Sequence, residues 1–79
     1  MKVKVLLFAG LREKAGRGEM ELEVEPGATA RDLPGKIFGA VMAEPPKSLR
    51  YAVNLDYVAG DGELKDGDEV ALIPPVAGG

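Results

Sequence analysis

The chain opens on KVKVLLF, in which lysines at 2 and 4 alternate with Val3, Val5 and Leu7 before Leu6 and Phe8 make both sides apolar. Strict alternation predicts a strand, and the doubly apolar end predicts an inner one. EMELEVE alternates without a break: Glu19, Glu21, Glu23 and Glu25 interleave with Met20, Leu22 and Val24, so one face is wet and the other buried. The two segments are expected to pair antiparallel. Between them LREKAG reads as one short helical turn closed by Gly16.

At PGATARD the period changes. Pro26-Gly27 is turn chemistry, Thr29 can cap a helix with Asp32 three residues on, and Leu33, Ile37, Ala40 and Val41 share one helical face. A single main helix is therefore expected to pack on the sheet. Pro34 lacks an amide, and Gly35 and Gly39 each cost about 1 kcal/mol relative to alanine, so this helix is expected to start late, near Pro34. AEPPKS ends it, because Glu44 precedes a proline.

YAVNLDYV predicts a third strand, with Val53, Leu55 and Tyr57 on one side and Asn54 and Asp56 on the other. AGDGELKDGDE predicts turns around a brief apolar contact at Leu64, and EVALI predicts the last strand. Tyr51, Tyr57, Phe8 and Phe38 are expected to be core or half-buried. The order β, β, α, β, β gives an α+β class, a mixed sheet of four to five strands packed on one main helix. The first and last strands have the most apolar faces and form the natural inner pair, which places the end of the last strand at the sheet centre.

Composition narrows the function. Seventy-nine residues make one domain. The absence of cysteine suits a reducing cytoplasm, and no apolar run is long enough to span a bilayer, so a cytoplasmic protein with no membrane association is expected. Thirteen acids against ten bases, a net charge of -3, argue against nucleic acid as a partner. With no histidine, side-chain catalysis by this chain alone is improbable. The acids of GDGELKDGDE lack the ligand spacing of a calcium loop, so no metal site is assigned. Arg12, Glu13 and Lys14 read as a solvated helical turn, and the glutamate stripe as a wet face that discourages edge pairing.

The ending, EVALIPPVAGG, is where chemistry concentrates. Pro74 and Pro75 cannot donate ladder hydrogen bonds, so the domain is expected to span 1–73 and to release a flexible tail over 74–79 along a stiff polyproline path. From Pro74 to Gly79 the reach is about 20 Å at about 3.5 Å per residue, with Pro75, Val76, Ala77 and Gly78 thinning toward the tip. Such a tail can thread a narrow tunnel in a partner. Its one reactive group is the Gly79 α-carboxylate, an anion at neutral pH that needs activation, and adenylation by ATP is the plausible route. The chain carries no phosphate-binding motif, so the nucleotide site must lie in another protein.

LLFAGLREKAG near the start and LKDGDEVALIPPVAGG at the end, with AVNLDYV between, resemble the MoaD/ThiS family of ubiquitin-like sulfur carriers, most closely its molybdopterin synthase small subunits. The resemblance covers most of the chain in order and departs in LPGKIFGAVMAEPP, richer in Pro and Gly than the family's helix. It implies a ubiquitin-like β-grasp fold. It also implies a cycle in which an E1-like adenylating enzyme, holding ATP and zinc, converts Gly79 to an acyl-adenylate, and a sulfur donor protein makes it a thiocarboxylate. The tail would then enter the large catalytic subunit of molybdopterin synthase, two small with two large, and give its sulfur to cyclic pyranopterin monophosphate. Catalytic side chains would belong to the large subunit, with no cofactor bound by this chain. Phe8, Leu72 and Ile73 are the expected partner-binding residues. A carrier for thiamine or tRNA thiolation, a ubiquitin-like protein modifier and a plain binding module remain alternatives.

Overall fold

Five strands and two short helices account for about half of residues 1–75, which are those described by the computed structural model. In chain order they are β1 (Lys2–Leu7), α1 (Ala9–Ala15), β2 (Glu19–Glu23), α2 (Leu33–Phe38), β3 (Arg50–Val53), β4 (Asp56–Val58) and β5 (Glu69–Ile73). The sheet order is β2-β1-β5-β3-β4. β1 and β5 run parallel at the centre, and the other neighbours are antiparallel. The expected α+β architecture and inner pair are therefore present, with five strands. No helix among the described residues is long and apolar enough to cross a membrane.

Alternation decides what the sheet covers. Val3, Val5 and Leu7 of β1 and Val70 and Leu72 of β5 are almost wholly inaccessible, and they meet Leu33, Tyr51, Leu64 and Val24 in one core. Burying each such aliphatic side chain contributes about 1.5–3 kcal/mol. Leu64 is the single apolar anchor of its long acidic loop, as expected, and its N–H donates to the Ala28 carbonyl at 2.8 Å. Short α1 closes on Gly16 at φ 78°, whose N–H donates to the Arg12 carbonyl.

The segment before α2 follows its capping chemistry. The Asp32 carboxylate accepts from the Thr29 N–H at 2.9 Å and from Thr29 Oγ1 at 3.1 Å, starting a 3-10 turn over Ala30–Asp32 that runs into α2. The helix then stops early. Gly39 sits at φ 81°, and a second 3-10 turn, Gly39–Met42, replaces the expected continuation. That break rotates the downstream residues out of phase. Ala40 and Val41 face solvent, Val41 at 76% exposure, while Pro34, Phe38 and Met42 turn toward the core beside Leu33 and Ile37.

YAVNLDYV is a hairpin rather than one strand. Asn54 and Leu55 form a two-residue turn with φ 50° and 75°, the geometry of a type I′ turn. Asn54 holds it: its side-chain amide donates to the Asp68 carboxylate at 3.0 Å, and its Oδ1 accepts from the Glu69 N–H at 3.0 Å. Leu55 is therefore 87% exposed at the tip, and Tyr57 is 71% exposed on edge strand β4. Tyr51 and Phe38 lie buried and half-buried as expected, whereas Tyr57 and Phe8 do not.

Candidate functional site

Because β5 is central, its C-terminal end emerges between two neighbours. Leu72 pairs with Leu7 on one side and Tyr51 on the other, and Ile73 pairs with Arg50. After Ile73 the ladder must end, since neither Pro74 nor Pro75 has an N–H. Pro74 is half-buried and Pro75 exposed. Of the expected tunnel-threading residues only Pro75 is described; Val76, Ala77 and Gly78, and Gly79 with the carboxylate expected to react, lie outside the described residues.

The register also assigns the two sheet faces. On the side turned away from α2, one row crosses four strands: Leu6 of β1, Ala71 of β5, Ala52 of β3 and Tyr57 of β4. Ile73 and Arg50 form the next row, nearer the exit. Phe8 is extended, with φ -129° and ψ 158°, so it continues the alternation onto this face beside them. The result is an apolar patch with two alanines as a low floor and larger side chains around it. Phe8 is 45% exposed, and Leu6 and Ile73 are half-buried.

Charge divides the same face. Toward the opposite end Lys4 lies 3.9 Å from Glu69 and also reaches within 3.5 Å of Glu19, which flanks Leu6 on the outer strand, and these exposed pairs keep that side wet. The apolar half is the one at the exit. Ala9, directly after Phe8, adopts φ 48°, a left-handed conformation that costs alanine about 1–2 kcal/mol. This sharp turn takes the chain off β1 into α1 and leaves the Phe8 ring uncovered.

Two of the three expected partner-binding residues, Phe8 and Ile73, are on this face. Leu72 is not: alternation points it into the core, where it is completely buried. Leu6, Ala71, Ala52 and Tyr57 were not expected there. The signal for Leu6 was present, because an inner strand with one face uncovered shows the same doubly apolar end as one buried on both. Tyr57 was hidden by reading its hairpin as one strand.

Comparison with known proteins places this arrangement. The model of the ThiS family matches residues 5–79. The chain belongs to the ThiS family. Among its relatives, the molybdopterin synthase sulfur carrier subunit of Chlamydomonas reinhardtii is 43% identical, with all of both chains covered. That of Escherichia coli is 36% identical over 98% of this chain and 99% of its own. Solved structures of similar fold include a Pyrococcus furiosus chain described as molybdopterin converting factor, subunit 1, at TM-score 0.77 and 40% identity, covering 96% of this chain and 99% of that one. The small archaeal modifier protein SAMP1 of Haloferax volcanii matches at TM-score 0.77 and 30% identity over the whole of both chains. A chain from the Helicobacter pylori complex of molybdopterin-converting factor subunits 1 and 2 matches at TM-score 0.64 and 25% identity, again over both whole chains. The ThiS-family assignment bears out the resemblance drawn from the two ends of the sequence and its ubiquitin-like β-grasp fold.

Proposed function

We propose that this chain is the sulfur-carrier small subunit of a molybdopterin synthase, non-catalytic by itself. The observation that carries the reading is the meeting, at one end of the sheet, of the central strand's exit with an uncovered apolar patch. A partner seated on Phe8, Leu6 and Ile73 receives whatever follows Pro75 directly from the central strand of the sheet. The end-to-end likeness to sulfur carrier subunits selects the chemistry.

In this reading the Gly79 carboxylate attacks the α-phosphorus of ATP on an E1-like, zinc-containing enzyme, and pyrophosphate leaves. Sulfur delivered at the sulfide level by a donor protein then attacks the carbonyl carbon and AMP leaves, giving a thiocarboxylate. Gly78 and Gly79 suit the step because no Cβ stands beside the carbonyl or blocks a narrow tunnel. The tail over 74–79 next enters a large catalytic subunit, in an assembly of two small and two large subunits, and delivers sulfur to cyclic pyranopterin monophosphate. Reversible docking is required, since one tail serves two partners in turn, and an exposed patch of modest size fits that need.

Intact-mass measurement of the protein from its own cells, with fragmentation, tests the reading. Replacement of one oxygen by sulfur at Gly79 is the expected result. An unmodified terminus that persists with ATP and the adenylating enzyme supplied would sink it. The likeness to SAMP1 favours a second reading, a ubiquitin-like modifier joined through Gly79 to lysines of target proteins. Higher-mass conjugates on a blot, lost when Gly79 is deleted, would distinguish it.

A further inference from the structure

A second surface lies on the other side of the sheet. Between the end of α1, the edge strand β2 and α2 runs a groove of about 490 Å³. Met20, Leu22 and Phe38, all half-buried, form its apolar floor, and Lys14, Arg17 and Lys36 stand around it. No carboxylate lines it. The glutamates of β2 alternate onto the opposite face, where Glu19, Glu21 and Glu23 pair across from Leu6, Lys4 and Lys2. Every ion pair among the described residues involves Met1 or Lys4, so the three cations of the groove pair with no acid there.

Three unneutralised cations over an apolar floor are unusual on a chain of net charge -3. Lysine and arginine stems pack along apolar surface while their heads stay in water, so the rim is already positioned around the floor. A ligand that fits must bring negative charge at the edges and an apolar group at the centre. Polyphosphate and nucleic acid bring the first without the second, and the chain's overall charge opposes them.

We propose that this groove docks an acidic segment of a partner protein, its carboxylates flanking an apolar side chain. The carboxylates pair with Lys14, Lys36 and, in two-point fashion, Arg17, and the apolar group covers Met20, Leu22 and Phe38. The docked segment occupies the helix side of the sheet, whereas the patch around Ile73 is on the other. The chain can thus stay tethered to one protein while another handles its exit end. The site rests on its own observations and stands whether or not Gly79 carries sulfur.

The test is an amide-shift titration of the isotope-labelled full chain with a blocked synthetic peptide in which glutamates flank a leucine-phenylalanine pair. Shifts centred on residues 14–22 and 36–38 are expected, with binding at least about tenfold weaker for the same peptide with glutamines. The Lys14→Glu, Arg17→Glu, Lys36→Glu variant, altered only at exposed positions, should lose binding by a similar factor. The peptide pair keeps the test decisive if that variant does not fold. Absence of shifts, shifts on the Leu6 and Ile73 face, equal binding of both peptides, or tighter binding of an oligothymidylate would each overturn the proposal.

Discussion

At Gly60 a single hydrogen in place of a methyl group keeps the core closed. Its φ is 96°, and a Cβ there would lie 2.8 Å from two ring carbons of Tyr51, which is only 6% exposed. Gly60→Ala is expected to cost about 2–4 kcal/mol, strain and overpacking together. Gly67→Ala, at φ 86° with open space around it, should cost about 1 kcal/mol. Urea denaturation compares them, and equal losses would remove the role given to the Tyr51 ring. The same ring titrates abnormally: burial raises the Tyr51 hydroxyl above its ordinary value of 10.0, against an opposing pull from Arg31. Raised in the folded state, it contributes stability that is whole below the unfolded value of about 10 and is lost as pH rises through the folded one. Tyr51→Phe should remove that alkaline component from the stability profile. Neither effect was readable from sequence, since nothing in the spacing of residues 51 and 60 tells that a ring lies flat against a bare backbone.

Elements were legible where local chemistry and tertiary packing agree. EVALI and KVKVLL became strands because period two suits the core they line, and the Thr29 and Asp32 pair caps the 3-10 turn that leads into the expected helix rather than the helix itself. Asp32→Ala should cost about 1 kcal/mol, visible as a lower urea midpoint with unchanged slope. Two elements escaped. The helix face was extrapolated past Gly39, where a positive φ breaks the phase, and the β3–β4 turn was missed because Asn54-Leu55 lacks the glycine that normally marks such a turn. Asn54 compensates through bonds to residues fourteen and fifteen positions away, a long-range cause that no local pattern shows. Asn54→Ala removes those bonds and the residue type that best tolerates its φ, so about 2 kcal/mol should be lost. A loss below about 0.5 kcal/mol would mean that the turn is held by its strands alone.

For the molecule as a whole, the proposed function assigns folding and partner engagement to different atoms of the same strand. Leu72 faces the core and Ile73 the open face, so neighbouring side chains serve separate ends. Tyr57→Ala, at an exposed edge position, should leave stability within about 0.5 kcal/mol. If the patch is the docking face proposed above, the same change should weaken large-subunit binding by about 1–2 kcal/mol, measured by calorimetry. Deleting Gly79 should leave the melting temperature unchanged and abolish sulfur transfer.

The parallel pairing of β1 with β5 has one more consequence. Of the five strands, the one at the centre of the sheet is the last to leave the ribosome, and its parallel partner is the first. No earlier portion of the chain can close the core, because Val70 and Leu72 supply its middle. A polypeptide cut short before residue 69 is therefore left unfolded and open to proteolysis, while one that folds has been read through to the segment leading to the exit. The architecture makes folding itself a check that the chain has been read through β5.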